Sequence, residues 1–151
     1  MKIGIGADHR GFKTKLLIAS YLRKQGHKVL DYGTDSEEPV DYPDVAFKVA
    51  RDVAKKKTRF GILLCYSGQG MMMAANKVKG IRAALAFKPE YAKIARAHNN
   101  ANILVLPAGF IKSRKVWQAI IKNFLDTKFD SGRHLRRLNI IKNYEKEQKV
   151  K

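Results

Sequence analysis

Residues 60–70 read FGILLCYSGQG. The first half, FGILLC (60–65), is apolar at every position and ends in the chain's one cysteine. A half-exposed strand alternates and an amphipathic helix repeats every 3.6 residues. A short unbroken apolar run bounded by turn residues fits a parallel strand covered on both faces. That places residues 60–65 at the centre of a sheet. The second half, with Gly68 and Gly70 around an amide, predicts a tight turn that opens a helix over about 69–77.

Working outward, strand patterns alternate with helical ones. KIGIGA (2–7) precedes Phe12, Leu16, Ala19 and Leu22 at helical spacing, closed by Gly26 as a C-terminal cap. KVLDY (28–32) is a second strand. After a loop with Pro39 and Pro43, Val45, Val49, Ala50 and Val53 mark a second helix. Beyond the central run, IRAALAF (81–87) and NILVLP (102–107) complete five strands, with Pro89 and Glu90 in the first turn of the intervening helix. Ser113 is placed to cap a helix whose Val116, Ala119, Ile120 and Phe124 share one face, and a last helix begins near Gly132. Five βα units predict an α/β, Rossmann-like three-layer sandwich: a five-stranded parallel sheet with helices on both faces. The expectation is one domain over residues 1–151, with about 138–151 a charged helix end or tail.

The balance of 31 Lys and Arg against 13 Asp and Glu gives a net charge of +18, enough to attract phosphorylated metabolites, nucleic acid or anionic lipid. Basic residues are spread along the chain, as in KKKTR (55–59), without the aromatic interleaving of a single-strand binder. One cysteine excludes an intrachain disulfide and a clustered-cysteine metal site, which fits a reducing cytoplasm. Asp8, His9 and Arg10 interrupt the first apolar patch too early for a signal peptide, and no apolar segment is long enough to span a bilayer.

Ligands of such sheets bind beyond the carboxyl ends of the strands. Asp8 and His9 follow the first strand there, and Cys65 to Gly70 follow the third. A glycine-rich turn at a helix start offers free backbone N–H groups and lowers a thiol pKa, so it suits anion binding or chemistry that creates an anion. The alternative is that Cys65 is a small core residue closing a strand. GRHLRR (132–137) places Arg133 and Arg137 on one helix face, suited to a phosphate monoester or else a solvated basic face. His98 and Asn99, in AHNN (97–100), read as an acid/base with a neighbour or as a capping cluster.

In combination, GADHRGFKTK, DYPDVA, CYSGQGMMMAANKVKGIRAAL, ARAHNNANIL and FDSGRHLRR resemble the ribose-5-phosphate isomerase B family, from Lys2 to about Arg137. The resemblance implies an aldose–ketose isomerase acting without metal or organic cofactor. It implies Cys65 as the base at C2, since other branches of the family use a glutamate where this chain has Met71. By the same resemblance Ser67 assists proton movement between O1 and O2, and backbone N–H groups from Tyr66 through Gly68, Gln69 and Gly70 face the enediolate. His98 opens the sugar ring, Asp8 and Asn99 hold hydroxyls, and His9, Arg133 and Arg137 grip the phosphate. The implied assembly is a homodimer or tetramer with sites shared between subunits, with a phosphorylated sugar as ligand and neither specific nucleic acid nor membrane as partner. Two departures stand out: Tyr66 where the family usually has glycine, and Gly109 where many members have an arginine, with Lys112 nearby as a replacement. The rival readings are an isomerase of a hexose 6-phosphate of the allose or galactose type, and a phosphosugar- or nucleic-acid-binding module that has lost catalysis.

Overall fold

The computed structural model describes residues 1–148. Strands β1 (Lys2–Ala7), β2 (Lys28–Asp31), β3 (Phe60–Cys65), β4 (Ala83–Leu85) and β5 (Ile103–Pro107) form one sheet in the order β2-β1-β3-β5-β4, every pair parallel. Helices α1 (Phe12–Lys24), α2 (Tyr42–Ala54), α3 (Gln69–Ala75), α4 (Pro89–Asn99), α5 (Arg114–Asp126) and α6 (Arg133–Glu147) connect and follow them. The α/β sandwich expected from the alternating patterns is the fold observed.

β3 lies between β1 and β5, with all six residues buried. Its side chains divide by parity. Ile62 and Leu64 join the core shared with α1, α4 and α5, built around Ile18, Leu22, Trp117, Ile120 and Phe124. Leu63 and Cys65 face the other core, with Val45, Val49 and Val53 of α2 and Met71 and Ala75 of α3. The thiol therefore belongs to the face covered by α2 and α3, at the carboxyl edge of the sheet.

Local signals in the chain account for the element ends. Gly26, at φ +80°, follows α1 in a left-handed conformation while His27 N–H reaches back to the Leu22 carbonyl at 3.0 Å, the helix-ending pattern that its glycine predicts. Pro89 opens α4 as expected. Ser113 occupies the N-cap position of α5, but its side chain makes no capping hydrogen bond. The fourth strand is shorter than its apolar run. It is an edge strand, and side-chain amides replace the ladder: Asn76 bonds both backbone groups of Ala83 at 2.9 Å, and the Asn102 carboxamide accepts Arg82 N–H at 2.8 Å. α6 continues as one helix through residues 138–147, and residues 149–151 lie outside the described residues.

Candidate active site

The turn after β3 is built so that backbone surrounds the thiol. Gly68 stands at φ +78°, a left-handed conformation that side-chain-bearing residues rarely adopt, and its N–H donates to Cys65 Sγ at 3.1 Å. Gly70 leaves room for Tyr42: a Cβ there would lie 2.7 Å from the Tyr42 ring. Ser67 Oγ accepts the Gln69 N–H at 3.4 Å. Cys65 is only 6% exposed. Burial pushes its pKa up, the Asp8 carboxylate adds to this, and backbone N–H groups of Met71, Gly68 and Ser67 act in the opposite direction. Desolvation is the largest influence and the net displacement is upward, against the sequence expectation of a lowered pKa. The helix is one short segment, and its N–H groups only partly offset the low-dielectric surroundings.

Asp8 lies beside this turn because its N–H bonds the Leu64 carbonyl at 3.1 Å, joining the ends of β1 and β3. Its carboxylate accepts the N–H groups of Arg10 at 2.9 Å and Gly11 at 3.0 Å, fixing the loop that carries His9. His9 Nδ1 accepts the Val40 N–H at 3.4 Å. Asp8, His9, Cys65, Tyr66, Ser67, Gly68, Gln69 and Gly70 thus gather at one edge of the sheet. Ser67 and Gln69 also line a cavity of 390 Å³ with Leu85, Phe87, Pro107 and Phe110.

His98, Asn99, Arg133 and Arg137 are elsewhere. α4 runs antiparallel to the strands, so its last turn returns to the amino edge, where β5 begins. There Asp130 N–H bonds the Ala97 carbonyl at 2.9 Å, attaching the start of α6. His98 stacks on His134 with ring centroids 4.3 Å apart and planes 6° from parallel, and its Nε2 is 4.0 Å from Asp130. Gly61 and Cys65 lie beside Ile103 and Pro107 of β5, so about 13 Å of strand, at ~3.3 Å per residue, separates the two edges. The candidate residues of one chain thus fall into two groups, two candidate half-sites, one with the thiol and one with the imidazole and the arginine pair.

Tyr42, Arg10 and His134 also stand at these half-sites and were not singled out from sequence. Tyr42 covers Gly70, the Arg10 guanidinium lies 5.3 Å over the Tyr66 ring, and His134, between Arg133 and Arg137 in the first turns of α6, stacks on His98. Each sits inside a quoted motif, but only contacts in space distinguish it from its neighbours. His98, Asp130 and His134 are the one group among the described residues with the donor atoms of a metal site, all within 4.8 Å. The parallel rings give their nitrogens no common point in both ring planes, so this arrangement is a stacked pair rather than a ligand set.

The two departures from the family pattern are one feature. A Cβ on Gly109 would lie 2.5 Å from two carbons of the Tyr66 ring and 2.8 Å from the Tyr66 carbonyl oxygen. Tyr66, packed on Phe110 at 5.4 Å, fills the space that a side chain at position 109 would need. Lys112 is turned away, its ammonium donating to the Ala108 carbonyl at 3.2 Å. Gly109→Ala should therefore cost about 1–3 kcal/mol by overpacking. Tyr66→Gly in the same chain should recover part of the loss, the carbonyl contact remaining. Urea unfolding of the two single variants and the double variant checks this, and additive losses would separate the two positions.

The ribose/galactose isomerase family profile matches residues 3–141. Ribose-5-phosphate isomerase B of Escherichia coli is 38% identical over 140 residues, 93% of each chain. The ribose 5-phosphate isomerase structure from Thermotoga maritima superposes with TM-score 0.91 at 49% identity, covering 94% of this chain and 97% of that one. That of ribose-5-phosphate isomerase B from Mycoplasma genitalium, with bound ribulose-5-phosphate, gives TM-score 0.92 at 42% identity and 97% coverage of both chains. With matched sequence running through both half-sites, the chain belongs to the ribose/galactose isomerase family.

Proposed function

We propose that this protein is a cofactor-independent isomerase that interconverts ribose 5-phosphate and ribulose 5-phosphate, acting as a single-domain cytoplasmic enzyme. The observation that carries the reading is the Cys65 thiol seated among the backbone N–H groups of the β3–α3 turn, with the Gly68 N–H 3.1 Å from sulfur. In the open-chain aldose, the Cys65 thiolate takes the proton from C2. The C–H electron pair forms the C1–C2 double bond, and negative charge moves to O1, where the turn's N–H groups stabilise it. The O2 proton passes to O1 with Ser67 assisting. Cys65 then returns its proton to C1, leaving a carbonyl at C2. His98 opens the ring, Asp8 and Asn99 hold hydroxyls, and His9, Arg133 and Arg137 bind the phosphate.

This assignment requires two chains, since the residues named lie at opposite edges of one sheet. A homodimer in which the carboxyl edge of one copy meets the amino edge of the other supplies both half-sites twice. The surface of α6 supports it: none of its residues is buried, and Leu135, Ile140, Ile141 and Tyr144 are 46–65% exposed.

The raised thiol pKa gives the pH test its sign. The base works deprotonated, and kcat/KM follows the free enzyme. It should climb about tenfold per unit between about pH 6 and 8 and level off only above the ordinary thiol range near 8.5. Initial rates of ketose formation from ribose 5-phosphate check this. A flat profile over that interval would remove the thiol as the base.

A further inference from the structure

KKKTR (55–59), which plays no part in the isomerisation, turns the chain from α2 into β3 at the amino edge of the sheet. Lys57 N–H bonds the Asp52 carbonyl at 2.9 Å and Arg59 N–H bonds the Lys2 carbonyl at 2.9 Å, so the run is held in place by its own backbone. It forms one wall of a cleft of about 790 Å³, into which Lys2, Lys56, Lys57, Arg59, Arg82 and Arg96 all contribute. Six cations line one concavity. Among the described residues only Lys57 of these pairs with a carboxylate, Asp52 at 3.5 Å. Glu145, whose charge acts favourably on Arg82, accepts the Gly80 N–H at 3.1 Å and makes no salt bridge with Arg82.

Two residues of the cleft lining each carry one buried polar atom without a hydrogen-bond partner. Arg96 is 7% exposed; its Nη1 bonds Asn100 Oδ1 at 2.8 Å and the Ala101 carbonyl at 2.6 Å, but its Nε has no acceptor. Thr58 is 1% exposed and its hydroxyl is likewise unpaired. A buried guanidinium with neutral acceptors on one nitrogen, an unpaired Nε and no counter-ion is costly unless something else supplies negative charge. Burial and repulsion from Arg59 and Arg82 both disfavour the charged form of Arg96.

The shape of the wall limits what fits. Phe60, the one aromatic in the lining, is 4% exposed and covered by Arg96 at 4.8 Å and Arg59 at 5.3 Å, so no ring face is free to stack a base. We infer that this cleft binds an oligophosphate chain, recognised by its phosphate oxygens and charge alone. Its source is either free inorganic oligophosphate or the phosphate arm of a nucleotide. The cleft adjoins the imidazole half-site through Arg82, whose Nε donates to the carbonyls of Asn99 at 3.1 Å and Asn100 at 3.0 Å. The inference stands independently of the isomerase reading.

Calorimetric titration of the full chain with inorganic triphosphate and with ATP, at about 0.1 M salt, tests it. Two double variants remove the same charge at different places: Lys56→Gln with Arg59→Gln on the cleft rim, and Arg133→Met with Arg137→Met on α6. Both rim residues are exposed, so that variant should fold. Triphosphate should bind the wild type, ATP should match it within about threefold, and the rim variant should weaken binding at least about tenfold, as expected when charge-assisted hydrogen bonds are lost. The α6 variant should retain binding within about threefold of wild type. Absence of binding to wild type, an unchanged rim variant, or equal loss in the α6 variant would overturn the site. So would a single-stranded RNA that binds far more tightly than triphosphate with affinity rising with length, since that would make this edge a nucleic-acid surface.

Discussion

Mixing two inactive variants should restore activity. Cys65→Ala lacks the proposed base at the carboxyl edge, and the Arg133→Met, Arg137→Met double variant lacks the phosphate grip at the amino edge. If each site takes one edge from each copy, a mixed dimer holds one intact site and one site with both defects. Random exchange makes half of the dimers mixed, so an equimolar mixture should recover about a quarter of wild-type activity, the statistical value for a two-fold dimer. Subunits are exchanged in mild urea, refolded and assayed with ribose 5-phosphate. Activity no greater than the sum of the two separate variants would mean that the half-sites do not combine across copies, and the roles given to Arg133, Arg137 and His98 would have to be reassigned.

The second large effect belongs to the thiol itself. Cys65→Ala should lower isomerisation and C2 proton exchange by at least about a thousandfold, within the range that a positioned base contributes. The alanine keeps the turn's backbone, because the left-handed Gly68 sets its path, and it leaves the proposed phosphate-binding residues untouched. Affinity for a non-isomerisable sugar phosphate should stay within a few fold of wild type. His98→Asn should behave differently. It should slow turnover of the cyclic substrate while exchange on the open-chain fraction is better preserved, because ring opening precedes the proton transfer. Exchange at a near-normal rate in Cys65→Ala would reduce the thiol to core packing, which its 6% exposure also suits.

The central strand was legible because burial on both faces leaves no polar position to disguise it, and FGILLC occupies the middle of the sheet. The helices followed from periodicity, and Gly26 and Pro89 marked their limits. β4 was overestimated because IRAALAF is apolar for packing, while its ladder is shortened by the side chains of Asn76 and Asn102, which no periodicity reveals. The gathering of Asp8, His9 and the Cys65–Gly70 turn at one edge of the sheet was legible from strand ends alone. The separation of His98 and Arg133 from it was not drawn from the sequence, although the direction of α4 dictates it: a helix that begins at the carboxyl edge ends at the other. The mutual fit of Tyr66 and Gly109, 43 positions apart, depends on β3 and β5 being neighbours, with Gly109 N–H bonding the Tyr66 carbonyl at 2.9 Å. In sequence they were two unrelated departures.

The direct test of the proposed reaction is proton NMR of ribose 5-phosphate with the purified protein in deuterated water, beside parallel samples of allose 6-phosphate and galactose 6-phosphate. The account predicts ribulose 5-phosphate as product and deuterium at C2 of the recovered aldose, both dependent on Cys65. Turnover of a hexose 6-phosphate with none of ribose 5-phosphate, or conversion of ribose 5-phosphate that persists in Cys65→Ala, would contradict it.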